Sequence, residues 1–270
     1  MHKKMEEKIM AEANNKEVNI DKKLVQTILD IGAEMMKCGA ECSRVEDSLF
    51  RMCKSYGFIR YDIFALPSNI QVTIELTEGN IHTQIRNIEH ISNDFTMLDK
   101  LNNLSRYACN NIPSGAELRK RYDDIVKEAG RNKIYRYIGG ILGGTAFAIF
   151  FGGGIFDAFS AAIVSLAIIF LSNKISEEKS NPMLYNFGLA FIAEIVIIFL
   201  YKIGIAKNID AITIGVVMLM VSGIGVVNGM RDMINKDIMS GMINVVNAVL
   251  GAIGIATGIA IPILLAKGVL

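Results

Sequence analysis

Charge all but vanishes from this chain about halfway along, and that boundary constrains the fold more than any other feature. Residues 1–130 hold 38 of the 55 Lys, Arg, Asp and Glu side chains in a protein of 270 residues. Beyond them lie four stretches with no charge at all, 137–156, 158–173, 211–230 and 238–266, of 20, 16, 20 and 29 residues. About 20 apolar residues cross a bilayer as a helix, so the first and third span directly and the last spans with length to spare for tilt. The second extends backwards through Ile155, Phe156 and an outward-facing Asp157. A fifth run, about 183–201, is interrupted by Glu194 alone. Mean hydropathy of +0.37 exceeds what a soluble core of this size needs. The expected organisation is a polar tail over 1–20, a soluble domain over 21–130 and a membrane domain over 131–270. Five helices are predicted, at about 134–153, 155–173, 183–201, 210–229 and 240–266.

Lys and Arg near the helix ends set the orientation. Arg131, Lys133, Arg136, Lys174, Lys179, Arg231 and Lys236 fall on one side, against Lys202, Lys207 and Lys267 on the other. The soluble domain is therefore expected in the cytoplasm and the C-terminus outside, in a multi-pass protein of the plasma membrane. Met1-His2-Lys3-Lys4 opens a charged stretch with no apolar core, so no signal peptide is expected. The first 130 residues carry 18 basic and 20 acidic groups, a balance that excludes an electrostatic footprint for nucleic acid.

Within the soluble half, Leu24, Val25, Ile28, Ile31 and Met35 recur at helical spacing, and Gly39 suits the C-terminal end of that helix. Ser43-x-x-Glu46 reads as a capping box that opens a second helix, stopped by Gly57. The period then changes to two. Ile70, Val72, Ile74 and Leu76 alternate with polar residues, and after a turn at Glu78-Gly79-Asn80 so do Ile81, Thr83 and Ile85. With 58–66 ahead of Pro67 this predicts a three-stranded meander, followed by helices over about 88–110 and after Pro113. The expected fold of this half is α+β. Cys38, Cys42, Cys53 and Cys109 all lie in it; Cys38-x3-Cys42 is neither a redox nor a zinc spacing, and His2, His82 and His90 complete no metal set. Small buried side chains are expected, with no metal or cofactor.

The membrane half carries seams of small and polar residues. Ser240, Asn244, Asn247, Gly251, Gly254 and Gly258 share one helix face in the last span, and Ser222, Gly225, Gly229 and Asp232 do so in the fourth. Gly139-x3-Gly143 and Gly140-x3-Gly144 mark the first. Lipid gives helices no hydrophobic reason to associate, so such seams are packing faces before they are anything else. Glu194 is the costly residue. An acid at that depth costs roughly 3 kcal/mol or more, so it must face a bundle interior or a water cavity, protonated or hydrogen-bonded. It reads either as a proton-coupling or substrate-gating carboxyl, or as a structural partner for Asn244 or Asn247. Asp157, Asp210 and Asp232 fall at helix ends, where solvation explains them, and Arg231-Asp232 marks the inner mouth of the fourth helix. No GxSxG, HExxH or Walker A motif is present.

Several segments together resemble one family. Cys38-Gly39-Ala40-Glu41-Cys42-Ser43-Arg44-Val45-Glu46-Asp47, Phe64 to Ile70, Phe147 to Asp157 and Gly223 to Gly241 are similar to the motifs of the threonine/serine exporter family. Ser222 stands where that family has a proline, which implies a straighter helix there. The resemblance implies the larger, YjjP-like component of a split exporter, working with a smaller YjjB-like membrane partner or as a homo-oligomer. It implies export of threonine and serine or of small dicarboxylates such as succinate. Glu194, Asn228, Asp232, Asn244 and Asn247 are the expected intramembrane polar path. Arg44, Glu46 and Asp47 are the motif positions on the soluble side, where a solvated helix face with local ion pairs is the bland alternative. The rival readings are a membrane-tethered enzyme or sensor and a structural subunit of another transporter.

Overall fold

The computed structural model describes residues 22–77, 80–89, 91–128, 133–175 and 181–266. The proposed tail, the turn residues Glu78 and Gly79, His90, Arg131, Lys179 and Lys267 lie outside these. The chain divides into two compact units, Met1–Ala129 and Gly130–Leu270.

In the first unit α1 (Lys22–Lys37) is the central element, with Leu24, Ile28, Leu29, Ile31, Met35 and Met36 all buried. It ends as its sequence demands. Gly39 adopts φ +89°, donating from its amide to the Met36 carbonyl while Ala40 donates to Met35. This pair of bonds is a Schellman cap, and its left-handed residue favours glycine. Around α1 pack α2 (Cys42–Ser55), α3 (Phe95–Asn111) and α4 (Gly115–Glu128). The expected capping box at Ser43 does not form. Ser43 already lies inside α2, whose N-cap is Glu41 with no side-chain capping hydrogen bond. Glu46 instead reaches across to a strand, accepting from the Ala65 amide at 2.8 Å.

The sheet is antiparallel in the order β1 (Arg60–Leu66), β2 (Asn69–Thr77), β3 (Asn80–Asn87). Ile70, Val72 and Ile74 of β2 face the core. β3 does not follow them. A bulge between Glu75 and Thr77 shifts the pairing so that Ile81 lies opposite Glu75 and Ile85 opposite Gln71. Because side chains alternate with period two, that one-residue slip turns the whole apolar set of β3 to the other face. Ile81 and Ile85 are exposed, and Arg86 turns inward to meet Asp30 of α1 at 2.8 Å. Arg119 of α4 bonds the other oxygen of Asp30 at 2.6 Å, so one carboxylate ties three elements.

Among the described residues the regular elements of the second unit are helices: α5 (Lys133–Phe150), α6 (Ile155–Lys174), α7 (Pro182–Lys202), α8 (Ile209–Met220), α9 (Gly223–Ile234) and α10 (Ile238–Ala266). α6, α7 and α10 are each long and apolar enough to cross a membrane. α8 and α9 together make a fourth such segment, bent by 49° at their junction, and α5 is a shorter apolar helix. The straight fourth helix expected from Ser222 is therefore broken, since Val221 and Ser222 leave the helical path without any proline. α5 to α8 share one apolar core through Ala148, Val164, Ile197 and Ile212. α10 lies along α7, and α9 packs on α10.

Burial pushes the Cys38 and Cys53 thiols up to about 12 from the ordinary 9.0. Desolvation penalises the thiolate, so both stay protonated and unreactive through neutral pH. Labelling the folded chain with a thiol reagent at pH 8 should modify the half-buried Cys109 while sparing Cys38, Cys42 and Cys53, which react only after denaturation. The sign follows from linkage. The unfolded chain gives up these protons first, so their contribution to stability is complete below pH 9 and falls away as pH rises toward 12.

Candidate functional site

Small residues decide how close the membrane helices come. A Cβ on Gly258 would stand 2.6 Å from the Phe187 carbonyl oxygen and 2.9 Å from the Ala190 side chain, and one on Gly254 would stand within contact distance of the Met183 carbonyl. The backbones of α10 and α7 therefore touch, as a lipid-facing pair must if dispersion alone is to hold it. Gly140 and Gly144 serve the same purpose between α5 and α6, and Gly215 seats α8 against Ala148 of α5. Gly139, by contrast, meets nothing. At the other end of α10, Gly241 and Gly229 bring α10 onto α9.

Asp157 is buried rather than outward-facing. Its Oδ1 accepts from the Lys207 and Asn208 amides at 2.7 and 2.9 Å, and its Oδ2 accepts from Gly154 at 2.8 Å. The carboxylate joins the start of α6 to the loop that launches α8. This position explains why an acid closes the Phe147–Asp157 segment: no neutral side chain could satisfy three amides from two oxygens so well.

Glu194, in the middle of α7, is 1% exposed. Its partner is Thr213 of α8, whose hydroxyl donates to Glu194 Oε2 at 2.9 Å, and neither Asn244 nor Asn247 takes that place. Oε1 is buried without a hydrogen bond, and Glu194 lines a small cavity with room for about one water molecule, to which Ile259 of α10 also contributes. Asp232 is fully buried, where solvation at a helix end had been expected, and accepts from Asn244 Nδ2 at 3.2 Å. Asn228 is half-buried on α9. Asn247 is exposed, because α10 contacts α9 around Gly241 and α7 from Gly251 onward, leaving the intervening turn uncovered. Three of the five expected polar residues thus enter hydrogen-bonded pairs, Glu194 with Thr213 and Asp232 with Asn244. Thr213 was missed, although a hydroxyl inside an otherwise apolar run, one turn after Asp210, was visible in the sequence.

On the soluble side the motif trio separates. Arg44 and Asp47 are exposed and form local ion pairs, with Glu41 at 3.5 Å and Arg51 at 2.7 Å. Only Glu46 bonds to another element.

A bundle of apolar helices packed through glycine, three of them long enough to cross a bilayer, marks this unit as a membrane protein. The chain belongs to the family described as "Putative threonine/serine exporter", whose model matches residues 26–266. No curated protein and no solved structure matches it.

The Asp157 clamp yields a direct test. Asp157→Ala strands three amides at the α6 and α8 starts, and at about 1–3 kcal/mol per unsatisfied group it should sharply lower the thermal stability of the detergent-solubilised protein. Gly254→Leu should do the same by driving α10 off α7, read as loss of monodisperse folded protein in size-exclusion chromatography.

Proposed function

We infer that this protein is a subunit of a secondary transporter exporting small polar metabolites, threonine and serine or small dicarboxylates such as succinate, together with a smaller YjjB-like membrane subunit. The observation that carries this reading is the break between α8 and α9 inside an otherwise apolar segment. Helices broken within the membrane leave backbone amides without intrahelical partners, and transporters aim such ends at anionic groups of their substrates. Here Gly223, Ile224 and Gly225 open the second half-helix, and Asn228 and Asp232 follow along the same element, Asp232 accepting from Asn244 of α10. A zwitterionic or dianionic metabolite carries the carboxylate such an end would receive. The basic residues at the helix ends support a cytoplasmic soluble domain and an external C-terminus. In this reading the soluble domain regulates access from the inside, with Arg44 and Asp47 displayed on its surface.

Proteoliposomes loaded with labelled threonine, serine or succinate, with and without the smaller subunit, test the reading. Efflux of at least one of them is expected, strongest when both subunits are present. Asn244→Ala removes the hydrogen bond to buried Asp232, a loss of about 1.5–3 kcal/mol, and should lower efflux about tenfold or more. Absence of any efflux from the two-subunit vesicles would reject the exporter.

A further inference from the structure

The cavity beside Glu194 is too small for a metabolite. Pockets that hold small organic molecules measure about 300 Å³ or more, whereas this one takes about one water. Its lining belongs wholly to α7, α8 and α10, and apart from the two oxygens of Glu194 and Thr213 Oγ1 its side chains are apolar. A hard cation wants about six oxygen ligands, and transporters that bind Na⁺ recruit them from unwound backbone. Three side-chain oxygens set in helical walls do not make such a site.

A proton, however, has a defined place. Thr213 donates to Oε2, and Oε1 is buried without a hydrogen-bond partner in a residue that lines the cavity. A bare carboxylate oxygen in these surroundings is costly; an O–H turned toward a cavity water is not. Among the described residues no cation pairs with Glu194. On α8 the charged neighbour is Asp210, one turn before Thr213. On α6 Asp157 and Lys174 stand at the two ends, Asp157 held by backbone amides. On α7 itself Lys202 is eight residues away, at the helix end, and 238–266 of α10 contains no ionisable residue.

The geometry points to Glu194 as the residue that carries the coupling proton of this transporter, in a compartment that substrate and metal cations do not enter. On uptake the Oε1–H bond forms as a hydronium in the cavity gives up its proton and becomes water. On release the same proton returns to that water, and Thr213 holds Oε2 throughout. This assignment rests on the exporter reading.

Two measurements on the full chain decide it. Infrared difference spectra in lipid nanodiscs should show a protonated-carboxyl C=O band that titrates with pH, shifts in D₂O, is indifferent to exchange of K⁺ for Na⁺, and disappears in Glu194→Gln. In proteoliposomes with the partner subunit, Glu194→Gln should lose at least tenfold of the accumulation driven by a pH gradient. Glu194→Asp, which keeps a carboxyl, should retain part of that response and so separates loss of the proton site from loss of the fold. A band unaffected by Glu194→Gln, a sodium-dependent band, or an undiminished gradient response in Glu194→Gln would overturn the proton assignment while leaving export intact. A wild-type complex that moves none of the three substrates overturns both.

Discussion

The contact between α7 and α10 is the constraint on which the membrane unit depends. Two apolar helices in lipid gain nothing from hiding oil from water, so their attraction comes from dispersion at short range and from the few hydrogen bonds they can make. Glycines at 251, 254 and 258 let the backbones meet. That approach has a consequence one residue further on: Ile259, the neighbour of Gly258, is carried over the cavity that Glu194 borders. Packing and chemistry are therefore the same event here. The seam that holds the bundle together also supplies an apolar residue to the lining beside the acid.

α8 is positioned by a different device. It is too short to cross a bilayer alone, and its start is fixed by the Asp157 carboxylate through the amides of Lys207 and Asn208. Its body is seated by Gly215 against Ala148. Between these two anchors lies Thr213, whose hydroxyl is thereby delivered to Glu194. A charged clamp at one end and a glycine contact in the middle together locate one hydroxyl, and the helix then breaks at Val221 and Ser222.

Much of this was legible in the sequence. α6, α7 and α10 lie on long apolar runs of the sequence, because length and apolarity are properties of a segment by itself. Glu194 was legible for the same reason: a carboxyl in such a run is expensive wherever it points. What periodicity could not supply was pairing. Asn244 was available to Glu194 on paper, yet the α9–α10 hairpin gives it to Asp232. Asn247 shares a face with the buried glycines by spacing, yet it falls where α10 passes from one neighbour to another. The break at Ser222 shows the limit of reading one residue type as a hinge: a helix can also end because its neighbours hold its two halves at an angle.

The sheet makes the same point more sharply. Alternation in β2 and β3 was plain, but alternation states only that two faces differ, not which face is inside. The bulge at Glu75–Thr77 decides that, and it inserts a single residue into the register. Its result is a β3 that turns isoleucine outward and arginine inward, tolerable because Asp30 stands where Arg86 arrives. Arg119 then shares that carboxylate, so a buried-side charge that would otherwise be a liability becomes the tie between helix α1, helix α4 and the sheet edge. Such a slip survives only where the displaced polar residue finds its counter-charge. The isoleucines of the same strand, Ile81 and Ile85, are left exposed on its outer face.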